Sequence, residues 1–394
     1  MKHELGISVY PDLTPLEEIE TYFELAGRYG VSRVFSSMFS VDGTKEEVLD
    51  YFRKLIVAAH KNNLKVSLDV NPSCFEKMGA TPEDLSVFKS IDVDILRMDL
   101  SYGPKGDTTL VKNPYGITIE FNNSPAIVKG LMENGMDPKD FLVCHNFYPQ
   151  RYTAMKWDKF IDKNKELKAC SRDLRIGAFV SSNAENTHGV WDAVDGLPTV
   201  ERLRKLPIDL QARMILATGD VDDILIGNAF ATEEEFKSLQ EVLRESERRP
   251  DDLDPTLKML VDYGIISLDK PVKKLRVKLD PEVTEKEKEV LFHFFPHLEM
   301  GDGSEWIWRT RIARFKYSQP NEEIKPRKYE KDMFEVGDVV IVNDNYKHYA
   351  GEIQIVKIPI VNDGKRNRIG HLDEDEYQMM ELVNDGDLVE FLEK

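Results

Sequence analysis

Through the first two-thirds of the chain, short apolar runs alternate with longer segments of helical period, and this narrows the fold more than any other feature. The pattern predicts strands over 5–10, 31–39, 66–70, 94–100, 117–121, 141–146, 175–180 and 223–226. Helices are expected over 14–29, 46–63, 82–90, 125–134, 158–169, 198–216 and 233–248. The first of them reads as capped by Thr14 with Pro15 at its opening. The segment after the fourth strand, rich in Gly, Lys and Asp, reads as a loop without a long helix. Eight such units in roughly 250 residues match a (β/α)8 TIM barrel. An open doubly wound sheet rarely needs eight units, and no Gly-x-Gly-x-x-Gly follows the first strand.

Arg248-Arg249-Pro250-Asp251-Asp252-Leu253-Asp254-Pro255 is a charged, proline-bounded break. Beyond it the runs turn β-rich, over 274–279, 305–315, 337–342, 350–361 and 386–391, which reads as a small closed β-barrel with little helix. The chain therefore divides into a catalytic barrel over 1–249 and a second domain over 256–394. Two domains are also what 394 residues lead one to expect.

Three successive barrel strands end in a carboxylate followed by turn residues. Residues two apart on a strand share a face. Ser67, Asp69 and Asn71 therefore align, as do Arg97 and Asp99, and Thr118, Glu120 and Asn122. Buried carboxylates without partners are costly, so the repetition asks for a chemical reason. In a TIM barrel these positions lie at the C-terminal mouth, where active sites sit.

The formal net charge of −18 argues against nucleic acid and against anionic membrane surfaces. An anionic substrate would need a local basic cluster that overrides the global field. Cys74, Cys144 and Cys170 are scattered and odd in number, which suggests neither a disulfide framework nor structural zinc. The N-terminus turns polar at once, and no apolar run approaches the roughly 18 residues of a membrane span. A cytoplasmic protein without metal or organic cofactor is expected.

Several short motifs then carry a resemblance. They are Gly6-Ile7-Ser8-Val9-Tyr10-Pro11, Asp69-Val70-Asn71-Pro72, Arg97-Met98-Asp99 and Glu120-Phe121-Asn122-Asn123-Ser124. His145-Asn146-Phe147-Tyr148-Pro149-Gln150 and Ile226-Gly227-Asn228 follow in the barrel, with Trp308-Arg309-Thr310-Arg311 and Asn367-Arg368-Ile369-Gly370 in the second domain. In this order they resemble the bacterial 6-phospho-N-acetylmuramidases, which join a TIM barrel to a cyclophilin-like β-barrel. The resemblance implies a cytoplasmic glycosidase of cell-wall recycling. Its substrate would be N-acetylmuramic acid 6-phosphate linked β-1,4 to N-acetylglucosamine.

Site roles follow from the residues themselves. Glycoside hydrolysis usually takes one protonated and one ionised carboxyl. Arg97, as a same-face neighbour, would hold Asp99 ionised, leaving Glu120 or Asp69 as proton donor. Arg97, Asn71, Asn122, His145, Asn146, Tyr148 and Arg151 are candidates for holding the sugar. Asn228, at the end of the eighth strand, lies where many barrels bind phosphate. Arg309 and Arg311, on one face of a second-domain strand, are candidates for phosphate and lactyl carboxylate, with Arg309 reaching across from its own domain. Two other readings stay open. Asp69, Glu120, His145 and His188 could hold a divalent ion in a sugar-phosphate isomerase or lyase, or the barrel could be an idle carbohydrate- or peptide-binding module.

Overall fold

The computed structural model describes residues 3–38, 41–247, 255–268, 270–301 and 303–394. The charged break at 248–254 lies outside them. The chain divides into two compact units, Met1–Glu247 and Arg248–Lys394.

The first unit is a closed barrel of eight parallel strands. They are β1 (Glu4–Ser8), β2 (Arg33–Ser37), β3 (Lys65–Val70), β4 (Ile95–Met98), β5 (Thr118–Asn122), β6 (Phe141–Cys144), β7 (Arg175–Val180) and β8 (Asp223–Ile226). Each pairs with the next in sequence, and β8 closes on β1 through Glu4↔Asp223 and Gly6↔Leu225. Alternate residues such as Ile7, Val34, Leu68, Leu96, Phe121 and Ile224 are buried. Val48, Leu49, Phe52, Leu55, Ile56 and Ala59 form the buried stripe of the helix Lys45–Lys61, which Thr44 and Glu47 start with a capping box. Inside the barrel, Phe35, Cys144, Phe179 and Leu225 from four strands form one apolar plug.

The barrel departs from the expected elements in four places, the first being the helix expected over 82–90, which is reduced to Ser86–Lys89 behind a helix Pro72–Met78. The helix Leu16–Arg28 has Pro15 at its N-cap and no side-chain cap; Thr14 Oγ1 bonds His188 Nε2 instead, at 3.0 Å. The expected loop after β4 contains the helix Gly103–Val111. Asp107 organises its start, accepting from Ser101 Oγ and, at 2.8 Å, from the Tyr102 amide. The segment 198–216 is a 3-10 turn, Glu201–Leu203, followed by the helix Ile208–Leu216.

The second unit holds β9 (Val272–Leu279), β10 (Ile307–Thr310), β11 (Met333–Phe334), β12 (Asp338–Val342), β13 (Ile353–Val356), β14 (Ile360–Val361), β15 (Arg366–His371) and β16 (Leu388–Glu393). Six of them form a sheet in the order β10-β13-β12-β15-β9-β16, and β11 pairs with β14. The β9–β16 pair is parallel and the others are antiparallel. The result is a curled mixed half-barrel whose ends are β10 and β16. Two helices not anticipated in the sequence, Glu285–Phe292 and Glu374–Met380, belong to this unit.

Candidate active site

The strand ends of the barrel are organised around one guanidinium. Asp69, Arg97 and Glu120 occupy register positions on neighbouring strands, Asp69↔Arg97 and Arg97↔Glu120. Arg97 Nη1 donates to Asp69 Oδ1 at 2.8 Å, and Nη2 donates to Asn122 Oδ1 at 2.7 Å and to Asn146 Oδ1. The Arg97 guanidinium also lies 5.8 Å from the centroid of Phe35, within cation–π range. A single side chain of β4 thus ties together residues at the ends of β3, β5 and β6. Asn122 in turn donates to the Asp99 carbonyl at 2.9 Å, while the Asp99 amide donates to Val70 O at 3.0 Å. This fixes the main chain of Asp99, whose residue is partly exposed.

The expected Arg97–Asp99 pairing is therefore replaced. Sharing a face along one strand brings side chains to the same side, yet the cross-strand neighbour stands closer. Arg97 takes Asp69. Burial nevertheless pushes the Asp69 carboxyl up to about 6, because desolvation outweighs the attraction of Arg97, and the charges of Asp99 and Glu120 add to the rise.

Glu120 is buried beside that group, on the neighbouring strand. It is 1% exposed and accepts from Arg33 Nη2, which also donates to Ser67 Oγ at 3.2 Å; Arg97 Nε lies 3.8 Å away. Arg33 was not singled out in the sequence, although it shares parity with Phe35 and Ser37 as Arg97 does with Asp99. Further along the barrel, Arg175 pairs with Asp223, all at strand beginnings with Glu4.

Other predicted residues have scaffold partners. His145 is fully buried, donates from Nε2 to Asn164 Oδ1 at 2.7 Å and accepts at Nδ1 from Asn123 at 2.9 Å. Burial pushes its pKa down to about 4, so the ring is neutral. It orders Asn123 and has no free nitrogen for a sugar. Asn71 caps the helix Pro72–Met78, accepting from the Cys74 amide at 2.8 Å. Arg151 is ion-paired to Asp195 on the next loop. Tyr148 is partly buried, and its amide donates to Pro198 O at 3.2 Å.

Asn228 is buried with its amide fully engaged. Its Oδ1 accepts from the Ser182 amide at 2.8 Å, and its Nδ2 donates to Ser182 O at 2.9 Å. A Cβ at Gly227 would lie 2.3 Å from Leu197 O, so the β7 loop closes directly over this turn. The helix that follows, Glu233–Glu247, opens with three glutamates, and Glu235 accepts from Ser182 Oγ at 2.7 Å. The place where many barrels cradle phosphate is therefore filled and negatively charged.

In the second unit Arg309 stands opposite Gln354 across β10–β13, with Nε 3.3 Å from Glu352 Oε1; Arg311 follows the end of β10. Arg314 also approaches Glu352, at 3.9 Å, so two cations share one buried carboxylate. Among the described residues no group of three or more His, Cys, Asp or Glu side chains is arranged to hold a metal ion. His188 is bonded to Thr14, and Glu120 and His145 are engaged as above, so the four proposed ligands do not converge. Among the described residues no helix is long and apolar enough to cross a membrane.

Residues 5–241 match the family described as 6-phospho-N-acetylmuramidase, N-terminal, and residues 273–392 match its C-terminal counterpart. Among solved structures, an uncharacterized protein of B. cereus is 30% identical, with 100% of both chains covered and a TM-score of 0.78. A conserved protein of unknown function from Enterococcus faecalis is 20% identical over 99% of this chain and 96% of its own, with a TM-score of 0.61. No curated protein matches. With family matches across both units, the chain belongs to the 6-phospho-N-acetylmuramidase family.

Proposed function

We propose that this protein is a glycosidase that cleaves N-acetylmuramic acid 6-phosphate from N-acetylglucosamine, acting in the cytoplasm on cell-wall fragments. Family membership supports the substrate class. The observation that carries the chemistry is Asp69: a buried carboxyl at a strand end, bonded to Arg97, with its pKa raised to about 6. Such a group is partly protonated near neutrality and can deliver its proton to the glycosidic oxygen. Once the proton leaves, the Asp69 carboxylate is stabilised by its hydrogen bond from Arg97 Nη1, which strengthens as charge develops. Asp99, on the adjoining strand end, supplies the second carboxyl group, which faces the anomeric carbon.

Glu120 acts here as scaffold, paired with Arg33 beneath Arg97. Asn122 and Asn146 hold Arg97 in place, Asn146 offers its amide nitrogen to the sugar, and Tyr148 contributes from the loop after β6. Asn228, enclosed beside glutamates, is not offered to the anionic groups of the substrate.

The experiment compares the phosphorylated disaccharide with its unphosphorylated twin by chromatography of products. Cleavage of the phosphorylated compound, lost in Asp69→Asn with the melting temperature preserved, is the expected result. No cleavage of either compound by the unaltered protein would reject the reading.

A further inference from the structure

The loops after β6 and β7 carry two of the most exposed aromatic side chains of the molecule, Tyr152 at 87% and Trp191 at 79% exposure. Single exposed hydrophobics are ordinary. What sets these apart is their backbone: φ is 68° at Tyr152 and 54° at Trp191. Bulky L residues rarely adopt the left-handed region, and they persist there only where surrounding contacts enforce it.

At Tyr152 the enforcing contacts are visible. Its amide donates to Glu201 Oε1 at 2.8 Å, and the Ala154 amide donates to Oε2 at 3.0 Å. Glu201 is gripped from the other side by Arg204, whose Nε and Nη2 donate to its two oxygens at 2.8 and 2.7 Å. This fork pulls the Glu201 carboxyl down to about 2, so it stays ionised. Arg204 is 3% exposed, and its remaining donors reach main-chain carbonyls of both loops. These are Tyr148 O at 3.0 Å and Gln150 O at 3.1 Å on one, and Gly196 O at 2.8 Å and Asp195 O at 3.4 Å on the other. This half-buried pair thus joins the two loops and holds the Tyr152 ring out into solvent.

We propose that Tyr152 and Trp191 form a sugar-stacking subsite on the β6 and β7 loops, taking the flat C–H face of an N-acetylhexosamine ring, with Glu201–Arg204 as its positioning pair. The proposal rests on the glycosidase reading above. A pyranose offers an apolar face with a polar rim, which suits a Tyr or Trp ring that has one wet edge. The loops stand at the C-terminal end of the barrel, the end at which TIM-barrel enzymes bind substrate.

The test uses the full chain, the phosphorylated disaccharide as substrate and the N-acetylglucosamine dimer as fluorescence probe. Tyr152→Ala and Trp191→Ala should each raise KM about 3- to 10-fold with kcat retained, a stacking effect converted at tenfold per 1.4 kcal/mol. Tyr152→Phe should restore the normal KM. Titration with the dimer should quench tryptophan emission, and Trp191→Ala should abolish the quench. Glu201→Gln should raise KM as Tyr152→Ala does, and the double variant should show no further rise, which a merely structural role would not produce. Unchanged KM in both aromatic variants of a protein that cleaves the substrate would overturn the subsite. If the unaltered protein cleaves nothing, the glycosidase reading falls, and absence of quench by the dimer then removes the subsite as well.

Discussion

The barrel contains two arginine–carboxylate groups that look alike in composition and differ in surroundings. Arg33 meets Glu120 inside the barrel, where both are nearly inaccessible; Ser67 bonds Arg33, and Arg97 Nε lies 3.8 Å from Glu120. Arg97 meets Asp69 at the strand ends, alongside the amides of Asn122 and Asn146 and near the carboxylate of Asp99. The first pair is sealed from solvent, with Arg33 Nε and Glu120 Oε1 buried and unbonded, so it offers nothing that a ligand could reach. In the second, a carboxyl whose proton affinity is raised by burial stands beside amides that can exchange partners. Residue type alone does not separate scaffold from chemistry; depth and neighbours do.

The sharpest test of that contrast is Asp69→Asn, which should lower kcat/KM by about 10²- to 10⁴-fold, the usual size of a lost general acid. Melting of the variant should stay close to normal, and retained turnover would erase the distinction. Glu120→Ala should do the reverse. Leaving Arg33 buried and unpaired costs about 3–5 kcal/mol of stability, read by denaturant unfolding. Below its lowered melting point the variant should keep most of its kcat, and a loss as large as that of Asp69→Asn would move Glu120 into the chemistry.

A pH series sharpens the comparison further. Activity should decline as pH rises through about 6, where Asp69 gives up its proton. Its folded pKa is raised, so its favourable contribution to stability is full below about 4 and is lost as pH rises through about 6. Asp69→Asn should flatten that part of the stability profile, and a profile identical to the unaltered protein's would assign the titration to another group. The smallest effect belongs to Asn71→Ala, which removes a helix cap and should cost about 1 kcal/mol with little change in kcat/KM. A large kinetic loss there would bring Asn71 back to the sugar.

The barrel was readable because apolar alternation and helical period repeat eight times. Its mouth was only partly readable. Parity along a strand correctly aligned Asp69, Arg97, Glu120 and Asn122, yet it paired Arg97 with Asp99 because it carries no information about register between strands. Register brings together residues 28 positions apart, Asp69 and Arg97. Arg33 obeys the same parity on β2 and was passed over because no carboxylate lies near it in sequence. His145 and Asn228 share the chemistry of ligand-binding residues, and only their burial and occupied partners show them to be internal struts. Glu201 and Arg204 lie three apart, a spacing common to many solvated pairs, so nothing local marks them as the junction of two loops.

Because one guanidinium binds Asp69, Asn122 and Asn146 at once, the mouth of this barrel behaves as a single unit under mutation. Altering it one residue at a time would first dismantle the shared support. Variation in substrate choice within such a scaffold is therefore channelled outward, to the loops that follow β6 and β7, where a side chain can be exchanged without disturbing its neighbours' anchor.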